Sequence, residues 1–140
     1  MVKNLMNKLN NKKNKKGFTL IELIIVIAII AILAALLLPK LGAVKENSNK
    51  TSDITSAKQI GEAALSLYAD DKIPAGTYTF GTNATTIENY LQTAPKIKAK
   101  SVGHAANAVY KVTVGNDGSV SVQAGTLNLY PTIDTAYNHQ

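Results

Sequence analysis

The chain has no cysteine, so disulfides, thiolate catalysis and cysteine-ligated metal centres are all excluded. It has no arginine either: its 15 basic residues are all lysine, set against 9 acidic ones. Six lysines, Lys3, Lys8, Lys12, Lys13, Lys15 and Lys16, precede Gly17, and the rest of the chain is balanced in charge. The net charge of +6 therefore belongs to an N-terminal tail, whereas a basic nucleic-acid-binding domain spreads its surplus over a folded face. Nucleic acid is not an expected partner. Catalytic signals are as sparse: His104 and His139 stand in neither an HExxH pattern nor a paired-carboxylate setting. No enzyme, catalytic residue, cofactor or metal is expected. At 140 residues there is room for one small domain.

What the chain does have is one long apolar run. From Phe18 to Leu38 it reads FTLIELIIVIAIIAILAALLL, interrupted only by Thr19 and Glu22. As a helix this run is about 31 Å long at ~1.5 Å per residue, the thickness of a bilayer's hydrocarbon core. The remaining residues are too few to surround such a rod, so a membrane helix is expected over residues 18–39. A secretory signal has a shorter apolar region followed by small residues at the cleavage site, and Leu41-Gly42-Ala43 puts a bulky leucine where a small residue is wanted. A dense cationic flank stays on the cytoplasmic side of a membrane. Residues 40–140 are expected to face outward.

After Pro39-Lys40 the composition turns polar. Ile54, Ala57, Gly61, Ala64 with Leu65, and Tyr68 recur at helical spacing, with Lys58, Glu62 and Ser66 on other faces. An amphipathic helix is predicted over about 40–71, ending near Asp70-Asp71 before the Ile73-Pro74-Ala75-Gly76 break. Asn47 to Ser52 is poor helix material, so one long rod with a weak middle is expected, with a kink or local unwinding just upstream of Pro39. Then come Tyr78-Thr79-Phe80 and a short helical candidate from Thr86 to Gln92. Tyr110, Val112 and Val114 define one strand face, Gly115-Asn116-Asp117-Gly118 a turn, and Val120 and Val122 the answering strand. Leu127 and Leu129 suggest a third strand. The fold class is α+β: a long N-terminal helix whose amphipathic half covers the apolar face of a small antiparallel sheet.

Two positions in the N-terminal region point to chemistry. An ionised carboxylate in a spanning helix costs about 2.5–3.5 kcal/mol at the membrane centre, so Glu22 needs a partner unless it reaches water or a lysine at the interface. Gly17 is the small residue between the basic tail and the apolar rod. Cutting after it removes the charge surplus and leaves an α-amino group on Phe18, with a reference pKa of about 8.

The run Lys15-Lys16-Gly17-Phe18-Thr19-Leu20-Ile21-Glu22-Leu23, followed by an unbroken apolar stretch and Pro39, resembles the N-terminal signature of type IV pilins and pseudopilins. The resemblance implies a leader, residues 1–17, removed after Gly17 by a dedicated membrane aspartic peptidase, the prepilin peptidase. It also implies N-methylation of Phe18 and a head over residues 40–140. Glu22 becomes the assembly glutamate, paired with the Phe18 terminus of a neighbouring subunit in a homopolymeric helical filament. Two charges, each costly alone in an apolar medium, then offset one another and penalise a slipped register. Thr19 and Pro39 belong to the same assembly segment, and helicity from Ala34 through Leu41 is expected to be lost on assembly. The implied partners are an inner-membrane assembly platform and its ATPase. A single-pass cytoplasmic membrane protein with its N-terminus inside becomes an extracellular pilus. The cysteine-free C-terminal region resembles pilins of Gram-positive bacteria. The rival within the family is a pseudopilin of a type II secretion or competence apparatus, and outside it a binding module merely anchored by its helix.

Ala28, Ala31 and Ala35 fall on one helix face and would let helices approach closely, although alanine is also simply a good helix former. Asp70-Asp71 and Asn116-Asp117-Gly118 read as a helix end and a hairpin turn before they read as calcium ligands. Lys96, Lys98 and Lys100 alternate with Ile97 and Ala99, either as a basic stripe for an anionic surface or as charges protecting an exposed strand edge. Asn49-Lys50-Thr51 and Asn83-Ala84-Thr85 fit the glycosylation sequon.

Overall fold

The computed structural model describes residues 2–4, 6 and 17–139. Most of the leader expected over residues 1–17 lies outside them. The chain divides into two compact units, residues 1–41 and 42–140, and the first long helix, α1 (Leu20–Ala69), contributes to both.

In the first unit α1 is apolar all round, and every residue from Leu20 to Leu41 is exposed. Its helical conformation continues through Pro39, so the local unwinding expected upstream of that residue is not present. Proline has no N–H to offer the preceding turn, which leaves the Ala35 carbonyl without its intrahelical donor.

In the second unit α1 covers a four-stranded antiparallel sheet of order β1-β2-β3-β4: β1 (Gly76–Thr79), β2 (Tyr110–Val114), β3 (Val120–Ala124) and β4 (Leu127–Tyr130). Val112 lies opposite Tyr78 on one side and Val122 on the other, which aligns the inward residues. Tyr110, Val112, Val114, Val122, Ala124 and Leu129 are buried on the covered face. Against them α1 sets Ala57, Ile60, Ala63, Ala64 and Leu67. Leu65, placed on this face by its spacing, is 44% exposed instead. Ile60 is wholly buried and occupies the stripe centre, where its burial contributes about 1.5–3 kcal/mol. Gly61 gives the closest approach: a Cβ there would sit 2.8 Å from the Tyr130 ring.

The weak middle of α1 is held by tertiary contacts. Glu46 accepts the N–H groups of Lys100 and Ser101 at 2.7 Å each, and the Lys50 ammonium donates to the Asn138 carbonyl at 3.3 Å. Asp53 accepts from the loop preceding β2. Local propensity is thereby overridden, and the helix runs on through Asn47 to Ser52.

A short helix, α2 (Thr85–Leu91), follows β1, and a 3₁₀ turn (Thr135–Tyr137) follows β4. The free edge of β1 is sealed by Asn83. Its Oδ1 accepts the Thr79 N–H at 2.6 Å and its Nδ2 donates to the Thr77 carbonyl at 3.1 Å, as a peptide unit of a further strand would.

Candidate processing and assembly segment

Gly17, Phe18 and Thr19 precede the helix in non-helical conformation and are exposed, Phe18 by 90%. A peptide bond in this setting is open to a protease. Directly after it, Thr19 and Glu22 form a reciprocal cap. The Thr19 N–H donates to Glu22 Oε2 at 2.8 Å, and the Glu22 N–H donates to Thr19 Oγ1 at 3.3 Å. Two of the donors that a helix start leaves without intrahelical partners are thus satisfied. The T-x-x-E spacing was sufficient to anticipate this cap. Among the described residues Glu22 Oε1 has no hydrogen-bond partner, so one oxygen of the carboxylate is committed locally and the other stays open.

Beyond the cap, Ala28, Ala31 and Ala35 lie on exposed helix between exposed Ile and Leu residues. The most apolar 18-residue window of α1 has a mean hydropathy of 3.2, and none of it is buried. Length and composition suffice to cross a membrane.

The second unit gathers a different set of polar groups around Asp53, which sequence spacing did not single out. Asp53 is wholly buried. Its Oδ1 accepts the Lys98 N–H and its Oδ2 the Ala99 N–H, both at 2.8 Å. The hydroxyls of Tyr110 and Tyr137 donate to the same carboxylate at 3.3 Å. Burial, reinforced by the Asp53 charge, pushes both phenols up from their ordinary value. Glu46 is held at a pKa of about 2, chiefly by the backbone N–H of Ser101, with the Ser101 hydroxyl and the Lys100 N–H adding to it. These carboxylates fasten the loop to α1 by accepting its backbone N–H groups, a structural role.

The remaining candidates are placed as follows. Asp70 pairs with Lys72 at 3.9 Å while Asp71 takes a left-handed conformation, φ 56°, at the end of α1. Asp117 accepts the Ser119 N–H within the β2–β3 turn. His139 Nε2 lies 3.2 Å from the Thr51 hydroxyl. Lys96, Lys98 and Lys100 are exposed on a loop that belongs to no strand, so edge protection, one of the two readings of these lysines, does not apply. Asn83 of the second sequon has both ends of its amide engaged along β1.

The N-terminal segment matches a family model described as the prokaryotic N-terminal methylation motif, over residues 12–38. This motif supports a type IV pilin-like or pseudopilin-like protein, and with the apolar helix that carries it fits a protein anchored in a membrane before assembly. No curated protein and no solved structure matches the chain.

Proposed function

We propose that the chain is the precursor of a structural filament subunit, a type IV pilin with no enzymatic activity of its own. The observation that carries this reading is the methylation motif at residues 12–38, set on a helix whose apolar surface is exposed from Leu20 to Leu41. Such a surface is lipid-solvated in a single chain and buried when copies pack together.

On this reading the prepilin peptidase hydrolyses the exposed Gly17–Phe18 bond, and the new Phe18 terminus is methylated. The assembly platform and its ATPase then lift the protomer from the cytoplasmic membrane into an extracellular filament. Glu22 serves two partners: Oε2 keeps the Thr19 N–H and holds the helix start, while Oε1 receives the cationic Phe18 terminus of the next copy. Pairing offsets two desolvation costs and makes a one-turn slip unfavourable. Pro39 already leaves one carbonyl unmet, so the turn around it is where Ala34 to Leu41 gives way in the packed filament.

Mass spectrometry of material sheared from the cell surface tests the proposal. A chain beginning at methylated Phe18 is expected, and a stable extracellular product retaining Met1 overturns it. The motif is shared with pseudopilins. Surface fibres visible by microscopy support the pilin reading, whereas loss of secretion or DNA uptake without fibres on deletion supports the pseudopilin one.

A further inference from the structure

Over residues 42–52 α1 lies against no apolar core. Val44, the one large apolar side chain in this stretch, is 63% exposed, and Lys50 is its only buried residue. The apolar stripe that meets the sheet begins later, with half-buried Ile54 and then Ala57 and Ile60. Intrinsic preference is weak as well. Gly42, Asn47, Ser48, Asn49, Thr51 and Ser52 all favour a helix less than alanine does, and Pro39 interrupts the hydrogen-bond ladder just upstream. A helical stretch this short does not sustain itself in water.

Two straps of polar contacts hold it. The loop before β2 supplies one: the N–H groups of Lys100 and Ser101 and the Ser101 hydroxyl donate to Glu46 Oε1 at 2.7, 2.7 and 2.8 Å. The segment after the 3₁₀ turn supplies the other, where the Asn138 carbonyl accepts from Lys50 at 3.3 Å and His139 Nε2 lies 3.2 Å from the Thr51 hydroxyl. Water can stand in for each of these partners, but not for the apolar contacts of Ile60 and Leu67. A stretch with exposed backbone hydrogen bonds and few buried apolar contacts is the kind that opens by itself. Asp53 is a firm stop at its far end, wholly buried, with the N–H groups of Lys98 and Ala99 and the hydroxyls of Tyr110 and Tyr137 converging on its carboxylate.

We infer that residues 42–52 are a built-in extensible link, a stretch of α1 that unwinds between Pro39 and Asp53 while the sheet and the helix packed on it stay folded. Going from ~1.5 Å to ~3.3 Å per residue lets out about 20 Å of chain. The straps reset the link, because Glu46 and Lys50, one turn apart, face their partners only when the stretch is helical. In the filament proposed above, on whose existence this use depends, the link yields to tension before the core of the sheet does.

Amide hydrogen exchange, resolved by NMR on the full chain in maltoside micelles, tests the link without any filament, so its failure is distinct from failure of the pilin reading. Amides 46–52 are expected to exchange far faster than those of residues 57–67, with little dependence on dilute urea, whereas the latter exchange with the full urea dependence of global unfolding. Ile60→Val is expected to speed the core amides about two- to tenfold and to leave amides 46–52 unchanged, because the core stays folded when the link opens. Glu46→Gln speeds amides 46–52 roughly fivefold or more, and Ser48→Ala, at an exposed position, slows them about twofold. Core amides that stay protected verify that each variant folds. Exchange of amides 46–52 at the core's rate and urea dependence, or an equal acceleration of both sets by Ile60→Val, overturns the inference.

Discussion

Thr19 and Glu22 hydrogen-bond each other in both directions, each backbone N–H meeting the other's side-chain oxygen, at 2.8 and 3.3 Å. The glutamate therefore has a local task that does not depend on any neighbouring copy. Local and intermolecular roles can be separated by substitution.

Thr19→Ala removes the acceptor for the Glu22 N–H and is expected to cost about 1 kcal/mol in the first turn, seen as faster amide hydrogen exchange at Glu22. Glu22→Gln keeps a side-chain oxygen for the Thr19 N–H but abolishes the charge. First-turn protection should then persist while filament yield collapses. Normal assembly of Glu22→Gln would leave capping as the whole role of this residue.

Asp53→Ala strands two inward N–H groups, those of Lys98 and Ala99, together with the Tyr110 and Tyr137 hydroxyls. At about 1–3 kcal/mol for each buried unsatisfied group, the two amides alone predict a loss of about 2–6 kcal/mol in denaturant unfolding of the second unit. Asp53→Asn retains one acceptor oxygen and should lose less. Equal stability of the Ala variant and the parent would contradict the role assigned to this carboxylate.

Glu46 predicts an acid dependence with a definite sign. Its folded pKa, about 2, lies below the ordinary value of 4.5, so the unfolded chain binds the proton more readily. Its stabilising contribution is complete above pH 4.5 and is lost progressively as pH falls toward 2. Urea midpoints measured across that window should fall with acidification in the parent and fall less steeply in Glu46→Gln. Parallel profiles would count against the Glu46 tie to Ser101.

Gly61→Ala sets two effects against each other. Alanine gains about 1 kcal/mol of helix propensity, but its methyl would lie 2.8 Å from two carbons of the Tyr130 ring, an overlap that costs about 1–3 kcal/mol. Net destabilisation is expected, read as a lower melting temperature, with recovery when Tyr130→Ala is added. A stabilised single variant would show that the ring swings aside freely.

Much of this architecture was written in short-range pattern. The apolar run, the hairpin turn from Gly115 to Gly118 and the alternation through Tyr110, Val112 and Val114 each depend on neighbours a few residues away, and each formed as read. The helix read from Thr86 to Gln92 formed over Thr85–Leu91. Leu65 was misplaced because the helical period admits neighbouring positions, and only the sheet decides which stripe is covered: Ile60 and Leu67 took the centre. The first strand, Gly76–Thr79, is short and carries one aromatic, so its pairing with β2 left little trace in composition. Asp53 was invisible for a different reason. An acidic residue on a helix reads as a solvated face until donors 45 residues away are brought onto it.

At the N-terminus the legible part was motif-borne. Gly17, Phe18 and Glu22 were read from a specific short pattern; the methylation motif spans them at residues 12–38, and the roles given to each belong to the proposal. The T-x-x-E cap was legible too, but the cost of a charge in lipid drew attention to the carboxylate's distant partner and away from its near one.

The amide of Asn83, lying along β1 like one more rung, denies an incoming strand its first two hydrogen bonds. A polymer of this chain cannot be stitched rung to rung along that border. In the filament proposed above, copies meeting at that border would do so through side chains, contacts that can slide and re-form under load without unravelling the fold.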